Sequence, residues 1–245
     1  MGTTGGAFVA GATGYVGQQV TRQLCQAGIP TVAHLRPDSP RLQEWRDRFA
    51  AMGAQVDETP WTPDAMEATM RRLRPDRLFC LVGTTRARMR DLARAGRDPD
   101  EASYRAVDFG LTALLAGAAA RAGIAPRFVY LSAMGAGPSA KGAYMHWRTK
   151  AEEAAVASGL PYTLVRPALV TGADRDEHRA GERVAHAALE GVLGLSRALG
   201  VSGPWQRYRS IDAASLAREL IRLSGAPEAA NRVVERRELK DGESA

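Results

Sequence analysis

The stretch "AYMHWRTKAEEAA", residues 143–155, brings four reactive side-chain types close together: Tyr144, His146, Arg148 and Lys150. Two pairs are four residues apart, Tyr144 with Arg148 and His146 with Lys150. On a helix that spacing puts both members of a pair on one face, so either pair could project into one site. The bland alternative is packing: Tyr144 and Trp147 closing a loop, with His146, Arg148 and Lys150 left in solvent.

A second constellation lies near the N-terminus, where "GATGYVG" places glycines at Gly11, Gly14 and Gly17. It follows a short apolar run and opens a helical pattern. There Gly11 permits a tight turn, Gly14 lets the backbone approach a pyrophosphate, and Gly17 lets the helix pack closely on the sheet. The helix N-terminus then faces the phosphates, Thr13 adds a hydroxyl donor, and Tyr15 and Val16 complete the turn. Set between strand and helix, this pattern points to a dinucleotide rather than to a tight turn alone.

Further along, "HLRPDS" puts Arg36 at the tip of the second strand, where an acidic residue would instead favour NAD. A guanidinium clamps a 2′-phosphate bidentately, which favours NADP(H) over NAD(H), although Asp38 is close enough to oppose it. "VGTT" puts Gly83, Thr84 and Thr85 at the tip of the fourth strand, on the edge where such sheets bind ligands.

These residues must be carried by alternating strands and helices. The runs "AFVAGATGYVG", "TVAHLRP", "RLFCLVGTT", "RFVYLSAMGA" and "YTLVRPALVTG" read as strands leading into turns. Alanine-rich helical patterns ending on glycine, "SYRAVDFGLTALLAGAAARAG" and "RTKAEEAAVASG", lie between the later ones. That alternation is the signature of βαβ units and predicts a doubly wound, mostly parallel α/β sheet.

Composition narrows the rest. The 245 residues, 45% apolar and 24% charged, suffice for one sizeable core. Basic residues outnumber acidic ones 33 to 27, but they are scattered, so nucleic acid is not an expected partner. The densest patch, "RMRDLARAGR" (residues 88–97), reads as a solvated helix or loop. There is neither a long apolar span nor a secretory leader pattern, so no membrane is expected. Cys25 and Cys80 lie far apart in apolar contexts and read as free thiols in a reducing cytoplasm. With 4 histidines and no cysteine-pair spacing, no metal motif emerges.

"VAGATGYVGQQV", "FCLVGTTR", "VDFGLTALLAGAAARAGI", "FVYLSAMGA", "ASGLPYTLVRPALVTG" and "SIDAASLARELIRL" follow one another from residue 7 to about 223. In that order the chain resembles the atypical short-chain dehydrogenase/reductases, including NmrA-like and Tat-interacting-protein-like members. The resemblance implies a single NAD(P)-binding Rossmann domain over residues 1–245. Residues 172–210 and the C-terminal segment would form a small substrate wall.

It also implies a tyrosine that exchanges a proton at the substrate carbonyl, and a cation four residues on that holds the nicotinamide ribose and lowers the tyrosine's pKa. Counted from either side, that pair falls on Tyr144 and Arg148; His146 and Lys150 need a two-residue shift. Arginine in place of lysine keeps the charge but loses a proton relay through the side chain. The accompanying hydroxyl position falls on Ser132 or on Ala133. Pro167 matches the turn beside the nicotinamide carboxamide, Arg166 reads as structural, and Trp61 is a candidate cover for the adenine.

The expected function is NADP(H)-dependent reduction of a small carbonyl or conjugated substrate by a monomer or homodimer. The alternatives are a non-catalytic NAD(P)-binding regulator or assembly factor, and an epimerase or isomerase that retains its cofactor.

Overall fold

The computed structural model describes residues 5–96, 98, 100, 103–171 and 210–240. Seven parallel strands form the main sheet: β1 (Ala7–Ala10), β2 (Thr31–His34), β3 (Gln55–Asp57), β4 (Arg77–Cys80), β5 (Arg127–Leu131), β6 (Tyr162–Arg166) and β9 (Arg232–Glu235). Their spatial order is β3-β2-β1-β4-β5-β6-β9. Chain direction across the sheet reverses between β1 and β4, which opens a crevice at their carboxyl ends. A two-residue pair, β7 (Val170–Thr171) with β8 (Ile211–Asp212), forms a separate ladder beyond β6.

Parallel strands need crossovers, and seven α-helices among the described residues supply them or flank the sheet. They are α1 (Tyr15–Gln26), α2 (Leu42–Ala51), α3 (Pro63–Leu73), α4 (Arg86–Arg94), α5 (Thr112–Arg121), α6 (Gly142–Ala157) and α7 (Ala213–Gly225). Because side chains alternate along a strand, each strand feeds two cores. Val9, Phe79, Val129 and Val165 pack with α1, α2 and α7 through residues such as Leu24, Phe49 and Leu220. Phe8, Leu78, Phe128 and Leu164 face the other way, onto Met66 and Met70 of α3 and the alanines of α5 and α6. Ala116, Ala119, Ala151 and Ala155 are essentially sealed, so short side chains let those helices close on the sheet. Each fully buried Phe or Leu contributes about 1.5–3 kcal/mol.

The doubly wound parallel sheet is therefore as the residue pattern implies, but the strands are shorter than the apolar runs. Pairing on β4 stops at Cys80 and on β5 at Leu131. The tails "LVGTT" and "SAMGA" leave the ladder and run over the carboxyl edge. The long helical pattern after residue 103 also divides. Tyr104–Leu111 is a π-helix, capped by the Ser103 hydroxyl accepting from the Ala106 N–H at 3.1 Å, and α5 continues from it. Such wide turns are frequent at functional sites. "RMRDLARAGR" contributes to the helix α4. The proposed wall at residues 172–210 lies, apart from Ser210, outside the described residues.

Candidate functional site

A cavity of about 670 Å³ opens at the carboxyl edge beside β1, β4, β5 and β6, within the size range of ligand pockets. One side is the glycine turn. Gly11 has φ +83°, and a Cβ there would lie 2.6 Å from the Leu81 carbonyl; a Cβ on Gly17 would lie 2.1 Å from the Gly11 oxygen. Neither position has room for a side chain, so α1 begins hard against β1 and β4. Gly14 is the N-cap and donates its N–H to the Gly11 carbonyl at 3.0 Å. No side chain caps α1 and its first turn carries no acid, which leaves the positive end of the helix dipole facing the cavity.

Gly14, Tyr15, Val16 and Gly17 line that cavity. Gly11 acts from behind as the hinge. Thr13 is also outside the lining and serves the turn through its carbonyl, which accepts from Gln18 Nε2 at 3.0 Å.

Arg148 forms the floor. Its guanidinium is buried and reaches across to β5 and the π-helix. Nη1 donates to the Tyr130 hydroxyl at 3.0 Å and to the Leu131 carbonyl at 2.7 Å, while Nη2 is 2.9 Å from Asp108 Oδ1. The Asp108 contact is close but poorly aligned for a hydrogen bond, and Oδ1 has no other partner. Asp108 Oδ2 accepts from the Thr84 N–H at 3.2 Å.

Burial pushes the Asp108 carboxyl up to about 6, against the lowering influence of Arg148. Burial likewise drives the Tyr130 phenol well above its ordinary range, so it stays neutral. For Arg148, burial disfavours the charge, but Tyr130, Tyr144 and Asp108 outweigh it and the net direction is upward. Gly83 belongs to this floor rather than to the lining: a Cβ there would stand 2.7 Å from Arg148 Nη2.

The two candidate pairs part company on α6. Tyr144 and Arg148 both line the cavity, with the guanidinium carbon 5.4 Å from the centre of the Tyr144 ring. His146 is exposed and meets Trp147 edge-on at 5.0 Å; Lys150 points outward to Glu153 at 2.7 Å. Neither of these two lines the cavity.

Ser132 does, yet its hydroxyl is spent on Glu152 at 2.5 Å, and Glu152 is held bidentately by Arg166 at 2.9 and 2.6 Å. The next residue, Ala133, lines the cavity without a hydroxyl. Thr84, Thr85 and Pro167 also line it. Thr85 is at the same time the N-cap of α4, accepting from the Arg88 N–H at 3.2 Å.

A protein-family model described as NAD(P)H-binding matches residues 11–191. The chain belongs to that family. It is 28% identical over 167 residues to the mitochondrial protein FMP52 of Debaryomyces hansenii, covering 68% of this chain and 67% of that one. Among solved structures it resembles the anaerobillin reductase ChuY of Escherichia coli O157:H7, with TM-score 0.60 and 19% identity over 95% of each chain. The Bordetella bronchiseptica enzyme WbmH, solved with NAD+, matches with TM-score 0.61 and 15% identity over 94% of this chain and 73% of that one. A UDP-N-acetylglucosamine 4-epimerase of Bacillus cereus matches with TM-score 0.57 and 14% identity, over 94% and 76%. These likenesses agree with the resemblance to atypical short-chain dehydrogenase/reductases.

The residues of this NAD(P)H-binding chain fit a nicotinamide dinucleotide. The uncapped helix end and the absence of side chains at the glycine turn suit a pyrophosphate. Two buried polar atoms in the lining, Arg148 Nε and Thr84 Oγ1, have no partner among the described residues, and a ligand rich in hydroxyls would satisfy them.

Arg36 lies outside the cavity lining at the tip of β2, half-exposed and 3.2 Å from Asp38. Trp61 packs edge-on against the buried His34 at 4.8 Å. Asp108, Tyr130 and Glu152 are the partners that residue spacing did not reveal, and Tyr104 is the cavity residue it passed over. A lone acid inside an alanine-rich helix, "AVDFGLTALLAG", was the available signal for Asp108. Among the described residues no cluster of His, Cys, Asp or Glu gathers as a metal site, and no helix is long and apolar enough to cross a membrane.

Proposed function

We propose that this protein is an NADP(H)-dependent reductase of small carbonyl or conjugated compounds, with Tyr144 as the proton donor. The observation that carries this reading is the placement of Tyr144. Its half-buried ring lines the cavity opposite the glycine turn, over a fixed guanidinium, and its hydroxyl has no partner among the described residues.

A bound nicotinamide supplies or accepts the hydride. Tyr144 gives its proton to the oxygen on which negative charge develops, and Arg148 stabilises the phenolate left behind. Arg148 keeps its charge throughout, so Tyr144 regains its proton from solvent rather than through the floor. The Arg36 guanidinium supports NADP(H) over NAD(H), and the free thiols Cys25 and Cys80 support a cytoplasmic setting.

The test is a fluorescence titration with NADPH and NADH, followed by a carbonyl screen of wild type and Tyr144→Phe. The expected result is tight NADPH binding by both proteins and a loss of turnover in the variant of about 100-fold or more. A specific observation favours the second reading, a non-catalytic NAD(P)-binding regulator: the Ser132 hydroxyl is occupied and the floor cation is sequestered. Tight NADPH binding with no turnover of any carbonyl would select it.

A further inference from the structure

The cavity wall contains a second phenol that the reading above leaves unused. Tyr104, the first residue of the π-helix, lines the cavity beside Tyr144 with ring centroids 5.0 Å apart and planes inclined by 58°. Its side chain is half-buried, and its hydroxyl, like that of Tyr144, has no partner among the described residues. A polar group in that position is satisfied by water until a ligand covers it, and then only by the ligand.

The hydroxyl expected at the end of β5 is missing from the cavity. Ser132 has a single proton and gives it to Glu152, and Ala133 has none to give. The wall otherwise presents Met134, Met145, Leu169 and Val170. Its one buried cation is already engaged by Asp108, Tyr130 and the Leu131 carbonyl. Among the described residues, a ligand against this part of the wall meets the rings of Tyr104 and Tyr144, thioethers and aliphatic groups, with the two phenol O–H groups as donors and the charge of Arg148 already paired with Asp108. Aromatic faces favour flat π-systems, and methionine adapts to their outline. A carbonyl oxygen has two lone pairs and accepts from both phenols at once.

We propose that Tyr104 is a second hydrogen-bond donor to the oxygen of an uncharged, planar, conjugated carbonyl ligand, acting beside Tyr144 in place of the serine hydroxyl. This rests on the reductase reading and adds to it a residue and a substrate class. The π-helix explains why the residue is available. Its wide turn carries both Asp108, which engages the floor, and Tyr104, which joins the wall.

The experiment measures binding, not turnover. Full-length protein saturated with NADP+ is titrated with 9,10-phenanthrenequinone and with phenanthrene, which has the same rings without oxygens. Binding is followed through tryptophan fluorescence, Trp147 lying three residues after Tyr144 on α6. Wild type should bind the quinone more tightly than phenanthrene. Tyr104→Phe should lose about tenfold in quinone affinity while keeping its affinity for phenanthrene and NADP+.

A merely structural role for Tyr104 would weaken both aromatic ligands alike, and that result overturns the proposal. So does unchanged quinone affinity in Tyr104→Phe, or a wild type that binds NADP+ but not the quinone. A wild type that binds no NADP+ instead overturns the cofactor reading beneath it. Should the variant melt at a lower temperature, the ratio of quinone to phenanthrene affinity still reports the hydroxyl.

Discussion

Two aspartate–arginine pairs of the same composition stand in the cofactor half of this molecule, and they do opposite work. Asp108 and Arg148, 2.9 Å apart, are almost completely buried beneath the cavity, whereas Arg36 and Asp38, 3.2 Å apart, are 36% and 54% exposed at the tip of β2. In the first pair neither charge can be rehydrated without opening the fold, so the pair is a fixed part of the floor. In the second, water and salt compete continuously and the pair is worth little by itself. Burial decides whether such a pair supports structure or remains free to exchange partners with a ligand.

The largest effect should follow from breaking the buried pair. Asp108→Leu leaves a guanidinium uncompensated in the core and should cost about 3–5 kcal/mol, read as a fall in the urea midpoint. Asp108→Asn keeps an acceptor for the guanidinium or the Thr84 N–H and should cost less.

The pH dependence carries a sign. Asp108 has a folded pKa of about 6 against an ordinary carboxyl value of 3.8. The folded state therefore holds the proton longer. The stability this group contributes is fully present below about pH 4 and is lost as pH rises through about 6. The melting temperature of wild type should therefore fall relative to that of Asp108→Asn as pH rises from 4 to 7. Parallel curves would show that Asp108 does not titrate in this window.

A smaller break acts on the same floor without touching a charge. Gly83→Ala drives a Cβ to 2.7 Å from Arg148 Nη2. A flexible arginine would swing away cheaply, but this one is tied to Tyr130, Leu131 and Asp108. The expected cost is about 1–3 kcal/mol, together with weaker NADPH binding. Unchanged stability and binding would mean that the floor yields, and the contrast with the exposed pair would lose its basis.

The two pairs also differ in how far they could be read from the chain. Arg36 and Asp38 are two residues apart at the end of a strand, so their competition was visible in "HLRPDS". The glycine turn was equally legible, because its spacing lies within seven consecutive residues, although the close approach that demands Gly11 comes from Leu81 on another strand's end. The floor was not. Arg148 could be placed on a helix face with Tyr144, but its engagement with Asp108 depends on α6 packing against a π-helix forty residues earlier. Ser132 shows the same limit: its position in "YLSAMGA" was clear, but Glu152, twenty residues later, decides where its proton goes. The strand ends were overestimated for a related reason, since an apolar run persists after its ladder partners have stopped.

The smallest expected effects belong to the exposed pair, where they sharpen the comparison most. Arg36→Ala should leave the melting temperature unchanged and weaken NADPH binding by about 10-fold or more, with NADH little affected. Asp38→Asn is the finer test. In the free protein Asp38 holds the guanidinium that a 2′-phosphate would need, and its own charge repels that phosphate. Removing the charge should improve NADPH affinity by a few-fold at low salt and by less at high salt, where the repulsion is already screened. If Asp38→Asn instead weakens NADH and leaves NADPH alone, Asp38 is a ribose ligand rather than a competitor. The tip of β2 would then be built for NAD(H), with Arg36 as its counter-ion.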